Sequence, residues 1–181
     1  GLSDFPGKKI VVSMVNTGMG LPPVVVGLLV TILLWRSGPL GSLGLLYTPT
    51  AIVIAQALIA TPIVTGITVA AIQHLPKNLR LQILALGATR LQMIRLLVKE
   101  ARLPLLAAVM AGFGGVISEV GASLMVGGNI KGYTRVLTTA TVMETSKGNF
   151  DLAIALGIIL LLLTFAINLI LTMVQQNTRP R

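Results

Sequence analysis

Residues 73–102 read QHLPKNLRLQILALGATRLQMIRLLVKEAR, a basic stretch set between long apolar segments. Its six lysine and arginine residues stand against a single acid, Glu100. It contains two short amphipathic segments, residues 79–86 and 89–98, which meet at Gly87. Because glycine enters a tight turn without steric cost, we predict two short helices joined by a turn rather than an unstructured connection.

The chain as a whole is too apolar and too weakly charged for a soluble domain. Of its 181 residues, 54% are hydrophobic and 10% charged, and the mean hydropathy is +0.91. Soluble domains carry about 25% charged residues. The absence of cysteine excludes disulfides and thiolate metal sites. The net charge of +9 lies between the apolar segments, which indicates membrane loops and argues against nucleic acid as a partner.

Four apolar segments are long enough to cross a bilayer, which takes about 20 residues. They are residues 10–35, 50–72, 104–126 and 152–175, and Pro22-Pro23 can break the first into a bent entry and a helix proper. Ten of the 14 basic residues then share one side with residues 73–102, which the positive-inside rule makes cytoplasmic. We predict an all-α polytopic membrane protein with a cytoplasmic C-terminus. Because the sequence lacks an initiator methionine, we also expect one or more helices upstream.

The sequence contains no catalytic or metal-binding constellation. His74 is the single histidine, and the five acidic residues are scattered without the spacing of metal ligands. No G-x-x-x-x-G-K-[ST] loop is present, so ATP is not bound by that route. We therefore assign no enzymatic activity, cofactor or metal to this chain. An energy source would be bound by another subunit or would be an ion gradient.

Glu119 is the one acid inside a predicted span, where a carboxylate costs about 2.5–3.5 kcal/mol at the helix centre. Two roles stay open for it: a structural pair with Arg135 or Lys131, or a lining or gating role in a path. Residues 118–149 around it are rich in glycine, serine, threonine and asparagine. This composition fits a re-entrant or surface helix beside a cavity that admits a hydrated oxyanion. The alternative is an outer loop that caps the helix ends.

Local signals give the 73–102 stretch a more specific structure. We predict helix caps at Asn78 and Thr89. Leu91, Ile94 and Val98 would form an apolar face, beside a basic stripe along the same helix. A shaped unit of this kind fits a soluble partner. The alternative is an amphipathic helix that lies on anionic lipid.

Leu86-Gly87-Ala88, followed by a basic amphipathic helix, resembles the cytoplasmic EAA loop of ATP-binding-cassette (ABC) importer permeases. The chain departs from that pattern with Leu81-Gln82-Ile83 at the Glu-Ala-Ala positions and Lys99-Glu100 at the usual Leu-Pro. Residues 5–8, 21–27 and 38–41 resemble the molybdate/tungstate branch. Residues 118–122, 127–130, 134–136 and 144–148 resemble its tungstate-type subgroup.

The resemblance implies the type I ABC importer transmembrane fold, with residues 1–181 as a single permease domain and residues 73–102 as its coupling loop. It implies a homodimer in a bacterial or archaeal plasma membrane, two ATPase subunits that hold ATP and magnesium, and an extracytoplasmic oxyanion-binding protein. The implied ATPase-coupling residues are Leu86, Gly87, Ala88, Thr89, Arg90, Met93 and Ile94. The residues expected along the translocation path or gate are Ser118, Glu119, Ser123, Asn129, Thr138 and Thr139.

The expected cargo is tungstate, and a molybdate permease is the alternative. A stand-alone secondary transporter is a further possibility, which would need a coupling-ion site or an array of pore-lining charges. Glu119 is the single candidate for such a role in the apolar spans.

Overall fold

The computed structural model describes residues 6–177, and the regular elements in this range are helices. Apart from a one-turn 3-10 helix at Gly41–Leu43, they are α1 Lys8–Met19, α2 Pro23–Leu34, α3 Pro49–Gln73, α4 Lys77–Ala85, α5 Arg90–Glu100, α6 Arg102–Ile117, α7 Gly121–Gly127, α8 Leu137–Ser146 and α9 Phe150–Asn177.

Two helices, α3 and α9, are long and apolar enough to cross a membrane unaided. The other two predicted spans are each formed by a pair of helices with a bend between them. The bend between α1 and α2 is 104°, and the bend between α6 and α7 is 64°. The break foreseen at Pro22-Pro23 is thus confirmed, whereas the break inside residues 104–126, between α6 and α7, was not predicted. Pro22 has φ −59° and ψ 125°, an extended conformation favoured before another proline, and α2 starts at Pro23.

A core of small and β-branched residues holds α2, α3 and α7 together. Ala51, Ala55 and Ala122 are fully buried, which lets neighbouring helices approach closely. A Cβ atom on Gly27 would lie 2.7 Å from the Cα of Ala122, so α2 and α7 touch backbone to backbone. Gly112 likewise lets α6 approach Val64 of α3. These contacts hold together the bundle that carries the two regions described next.

Helices α3 and α6 also define the two ends of the bundle. Helix α3 runs toward the α4–α5 segment, and α6 runs away from it. We call the end that carries α4 and α5 the hairpin end, and the end near residues 118–149 the distal end.

Candidate functional site

Helices α4 and α5 form a hairpin with a small hydrophobic core of its own. Ile83, Met93 and Leu97 are 8%, 5% and 2% exposed, and partly buried Leu75, Leu79 and Ala88 pack around them. Gly87 has φ +80°, a conformation that side chains other than glycine adopt at a cost. The predicted turn at Gly87 is thus confirmed, and the hairpin is a shaped unit.

A capping box begins α5. The Gln92 amide donates to Thr89 Oγ1 at 3.3 Å, and the Thr89 amide donates to Gln92 Oε1 at 2.8 Å. This reciprocal pair satisfies two amides at a helix start and confirms the predicted cap at Thr89. The cap predicted at Asn78 was wrong: α4 starts at Lys77 with Pro76 as its N-cap. Proline donates no backbone hydrogen bond, so this position suits it.

The hairpin leaves an apolar tip exposed. Leu86 is 87% exposed and Leu91 58% exposed, on either side of the Gly87 turn. Ile94, one turn further along α5, is also exposed, and Thr89 and Arg90 are exposed between the two leucines. We call the exposed residues of this region the hairpin tip: Leu86, Gly87, Thr89, Arg90, Leu91 and Ile94.

Two of the predicted coupling residues, Met93 and Ala88, belong to the interior of the hairpin and not to its exposed surface. Met93 is in the hairpin core, and Ala88 packs against that core while half-buried. Their structural contribution is therefore the shape of the hairpin.

Ala101 joins this hairpin to the membrane bundle. It is the single residue between α5 and α6, and it is 0% exposed. Its amide donates to the Leu97 carbonyl at 2.9 Å, and its carbonyl accepts from the Leu105 amide at 2.9 Å. Both helices are thus hydrogen-bonded through the same residue, and no linker separates α5 from α6. This joint was not predicted from the sequence, although the short spacing between Glu100 and Pro104 was a signal for it.

At the distal end, Glu119 holds the break between α6 and α7. Its Oε1 accepts a hydrogen bond from the Ala122 amide at 2.9 Å. Its carbonyl oxygen accepts from Thr138 Oγ1 at 3.2 Å and from Ser123 Oγ at 3.5 Å. Within residues 6–177 it forms no salt bridge, so the proposed pair with Arg135 or Lys131 was wrong. The partner of the Glu119 carboxylate is the Ala122 amide at the start of α7, and not a basic side chain.

Arg135 instead binds Asn129, a residue with φ +51°. Its Nε donates to Asn129 Oδ1 and its Nη2 to the Asn129 carbonyl, both at 3.3 Å. The turn is closed by Thr134, whose Oγ1 donates to the Gly127 carbonyl and accepts from the Ile130 amide. Thr134 is 2% exposed and was absent from the predicted site. A threonine within a glycine-rich turn was the signal for it.

The predicted path residues fall into two groups. Ser123, Thr138 and Thr139 are buried, and their hydroxyls donate to carbonyls of this same chain. Ser118 is exposed, while Glu119 and Asn129 are half-buried. Ser118, Glu119 and Asn129 are therefore the predicted path residues that reach the surface of this chain.

Glu144 locks the connection from α8 to α9. Its Oε1 binds Lys147 Nζ at 2.9 Å and its Oε2 binds Asn149 Nδ2 at 2.8 Å. The Asn149 hydrogen bond, followed by the Lys147 hydrogen bond, lowers the pKa of this carboxyl below its ordinary value of 4.5. In residues 6–177 no cluster of three or more histidine or acidic side chains is arranged to hold a metal ion.

These features define a multi-pass helical membrane protein with a helical hairpin joined directly to the bundle at one end. Residues 2–181 match the sequence model of the family described as "Binding-protein-dependent transport system inner membrane component". The chain belongs to this family, and it has the type I ABC importer transmembrane fold that the sequence predicted. It is the permease component of an ABC importer.

Three similar proteins are permeases by name. The chain is 46% identical over 173 residues to a "Probable anion ABC transporter permease protein" of Haloferax volcanii, covering 93% of this chain and 75% of the relative. It is 44% identical over 177 residues to the "Tungstate uptake system permease protein TupB" of Peptoclostridium acidaminophilum, covering 98% and 78%. The protein of that name in Campylobacter jejuni is 36% identical over 167 residues, covering 92% and 70%.

Proposed function

We propose that this permease carries tungstate into the cell. Two of the similar proteins are named for tungstate uptake, at 44% and 36% identity over most of both chains. The exposed Ser118 and the half-buried Glu119 and Asn129 fit a weak, hydrated path for a tetrahedral oxyanion. Weak contacts suit a permease, because a tightly held ion would not leave. Molybdate, an oxyanion of the same shape, is the alternative cargo.

The hairpin tip is the proposed contact for an ATPase subunit. Leu86, Leu91 and Ile94 offer exposed apolar surface beside the charge of Arg90. An apolar centre with a basic neighbour fits a groove in a folded partner. ATP and magnesium would be held by that partner. The observation that carries this proposal is the exposed tip on a hairpin that Ala101 joins to α6 without a linker.

The proposed assembly has two copies of this permease, two ATPase subunits and an extracytoplasmic oxyanion-binding protein. The hairpin end would face the cytoplasm together with the C-terminus, in agreement with the concentration of basic residues at residues 73–102. ATP binding would favour one of two permease states by binding it more tightly. The displacement would pass from the hairpin tip through Ala101 to α6 and then to the break at Glu119.

Uptake by reconstituted liposomes tests the function. We expect tungstate uptake when permease, ATPase, binding protein and MgATP are present, and no uptake by the permease alone. Flux without the ATPase would indicate a secondary transporter. Molybdate uptake that matches tungstate uptake with several binding proteins would show that the permease does not select between the two oxyanions.

A further inference from the structure

A groove of about 750 Å³ opens at the distal end among α3, α6, α8 and α9. Most of its lining is apolar, including Phe113 of α6 and Leu156, Leu160 and Leu163 of α9. Arg135 lines the same groove, and Gln56 adds a polar amide. An apolar wall that also holds a guanidinium group matches a ligand with one charged and one hydrocarbon part.

The guanidinium has donors to spare. Arginine has five N–H donors, and Asn129 occupies one on Nε and one on Nη2. Arg135 has no carboxylate within salt-bridge distance in residues 6–177. The charge of Arg135 contributes to the lowered pKa of Glu144, but the Glu144 carboxylate is hydrogen-bonded to Lys147 and Asn149 instead. A half-buried cation bonded to a neutral amide is suited to an incoming anionic group.

The depth of the groove fits a membrane lipid. Helix α9 begins at Phe150, just beyond the α8 turn, so Leu156 lies near the distal surface of the bundle. At a rise of about 1.5 Å per residue, the wall from Leu156 to Leu163 descends roughly 10 Å further into a hydrocarbon layer about 30 Å thick. Arg135 precedes α8, in the loop at the distal end, which puts the charge at the surface side.

We propose that this groove binds one phospholipid of the distal leaflet. Its phosphate contacts Arg135, and one hydrocarbon chain lies along Leu156, Leu160 and Leu163. A transported oxyanion suits the groove less well. The polar side chains of the groove are Arg135, Gln56 and Thr138, and the Thr138 hydroxyl already donates to the Glu119 carbonyl, so most of the wall offers no hydrogen bonds to replace the hydration of the ion. The site is separate from the proposed ATPase contact and does not depend on the identity of the cargo.

Native mass spectrometry of the detergent-solubilised permease–ATPase complex, titrated with dioleoyl phosphatidylglycerol, tests the site. We expect one tightly retained lipid per permease copy. Arg135→Gln should weaken that lipid roughly tenfold, as expected for loss of a charge-assisted hydrogen bond. Lys131→Gln is the matched control, because it removes the same charge from an exposed residue of the same loop that does not line the groove.

A second pair of variants tests the hydrocarbon part. Ala140 lines the groove, so Ala140→Phe should fill it and abolish tight retention, whereas Ala155→Phe, on an exposed part of α9, should not. Equal retention of the lipid by the Arg135→Gln and Lys131→Gln variants would overturn the proposal. If Ala140→Phe does not fold, this comparison is a sufficient test by itself. Displacement of the lipid by sodium tungstate would also overturn it, in favour of an ion path. Loss of permease dimers in Ala140→Phe without loss of lipid would assign the groove to the second copy.

Discussion

The Thr138 hydroxyl donates a hydrogen bond to the Glu119 carbonyl oxygen at 3.2 Å, across 19 positions of sequence. This bond ties α8 to the break between α6 and α7, the point that separates one half of a predicted span from the other. A movement of α6 of the kind proposed above would therefore reach α8 through this hydrogen bond.

Replacement of Thr138 by valine should loosen this tie. The hydroxyl is lost with little change of shape, and a buried hydrogen bond of this kind contributes about 0.5–1.5 kcal/mol net. We expect a lower melting temperature in detergent and weaker coupling of ATP hydrolysis to uptake. Thr141→Val is the control, since Thr141 Oγ1 donates within α8 to Leu137. Equal effects of the two variants would remove the special role of the Thr138 bond.

Gly87 should be sensitive to conformation rather than to size. A Cβ atom at this position meets no atom within 4 Å, but its φ of +80° is unfavourable for most side chains. Gly87→Val should distort the turn, at a cost on the order of 1–2 kcal/mol or more, and uncouple ATPase activity from uptake while the bundle stays folded. Gly87→Asn should retain more coupling, because asparagine tolerates this region. Normal coupled uptake by Gly87→Val would count against the docking role.

The hairpin tip and the hairpin core should respond differently to substitution. Leu86→Ser should weaken ATPase binding in a pull-down or titration without a change of stability, because Leu86 is 87% exposed already. Met93→Ala should instead lower the free energy of unfolding by about 2–5 kcal/mol, since it empties part of a packed core. Leu81→Ser controls for the loss of an exposed leucine away from the tip. If it weakens ATPase binding as much as Leu86→Ser, docking is not centred at the tip.

Two substitutions of Glu119 can separate the effect of its charge from the effect of its hydrogen bond to the start of α7. Glu119→Gln keeps an oxygen that accepts from the Ala122 amide, whereas Glu119→Ala removes it. We expect Glu119→Gln to alter the uptake kinetics with little effect on assembly, and Glu119→Ala to lower the thermal stability as well. If uptake by Glu119→Gln equals that of the unaltered protein, the role of the residue is structural.

Glu144 should make the thermal stability of the protein depend on pH. Its pKa in the folded protein is lowered from 4.5 by Asn149 and Lys147, so its stabilising effect is complete above 4.5 and is lost as pH falls through the lowered value. The melting temperature of the unaltered protein should therefore approach that of Glu144→Gln as the pH falls from 7 into this range. A constant difference between the two curves would contradict the prediction.

The sequence predicted the elements whose signals are local. Apolar length revealed the spans, and Gly87 with Thr89 revealed the hairpin, because a turn and a cap depend on a few adjacent residues. The bend at Glu119 was missed because residues 104–126 are predominantly apolar and long enough for one span. The hydrogen bond from the Ala122 amide to the Glu119 side chain, which starts α7, depends on the folded backbone. The partners of Arg135 depended on the fold of the turn, which a pairing rule based on charge alone did not anticipate.

The buried joint at Ala101 has a mechanical consequence. Without a flexible linker, a load applied at the tip must either rotate α6 or pull the hairpin apart. The hairpin is held by Ile83, Met93 and Leu97, whose burial contributes roughly 5–9 kcal/mol at about 1.5–3 kcal/mol for each side chain. That sum sets the scale of the load that this small core can resist before the two helices of the hairpin separate.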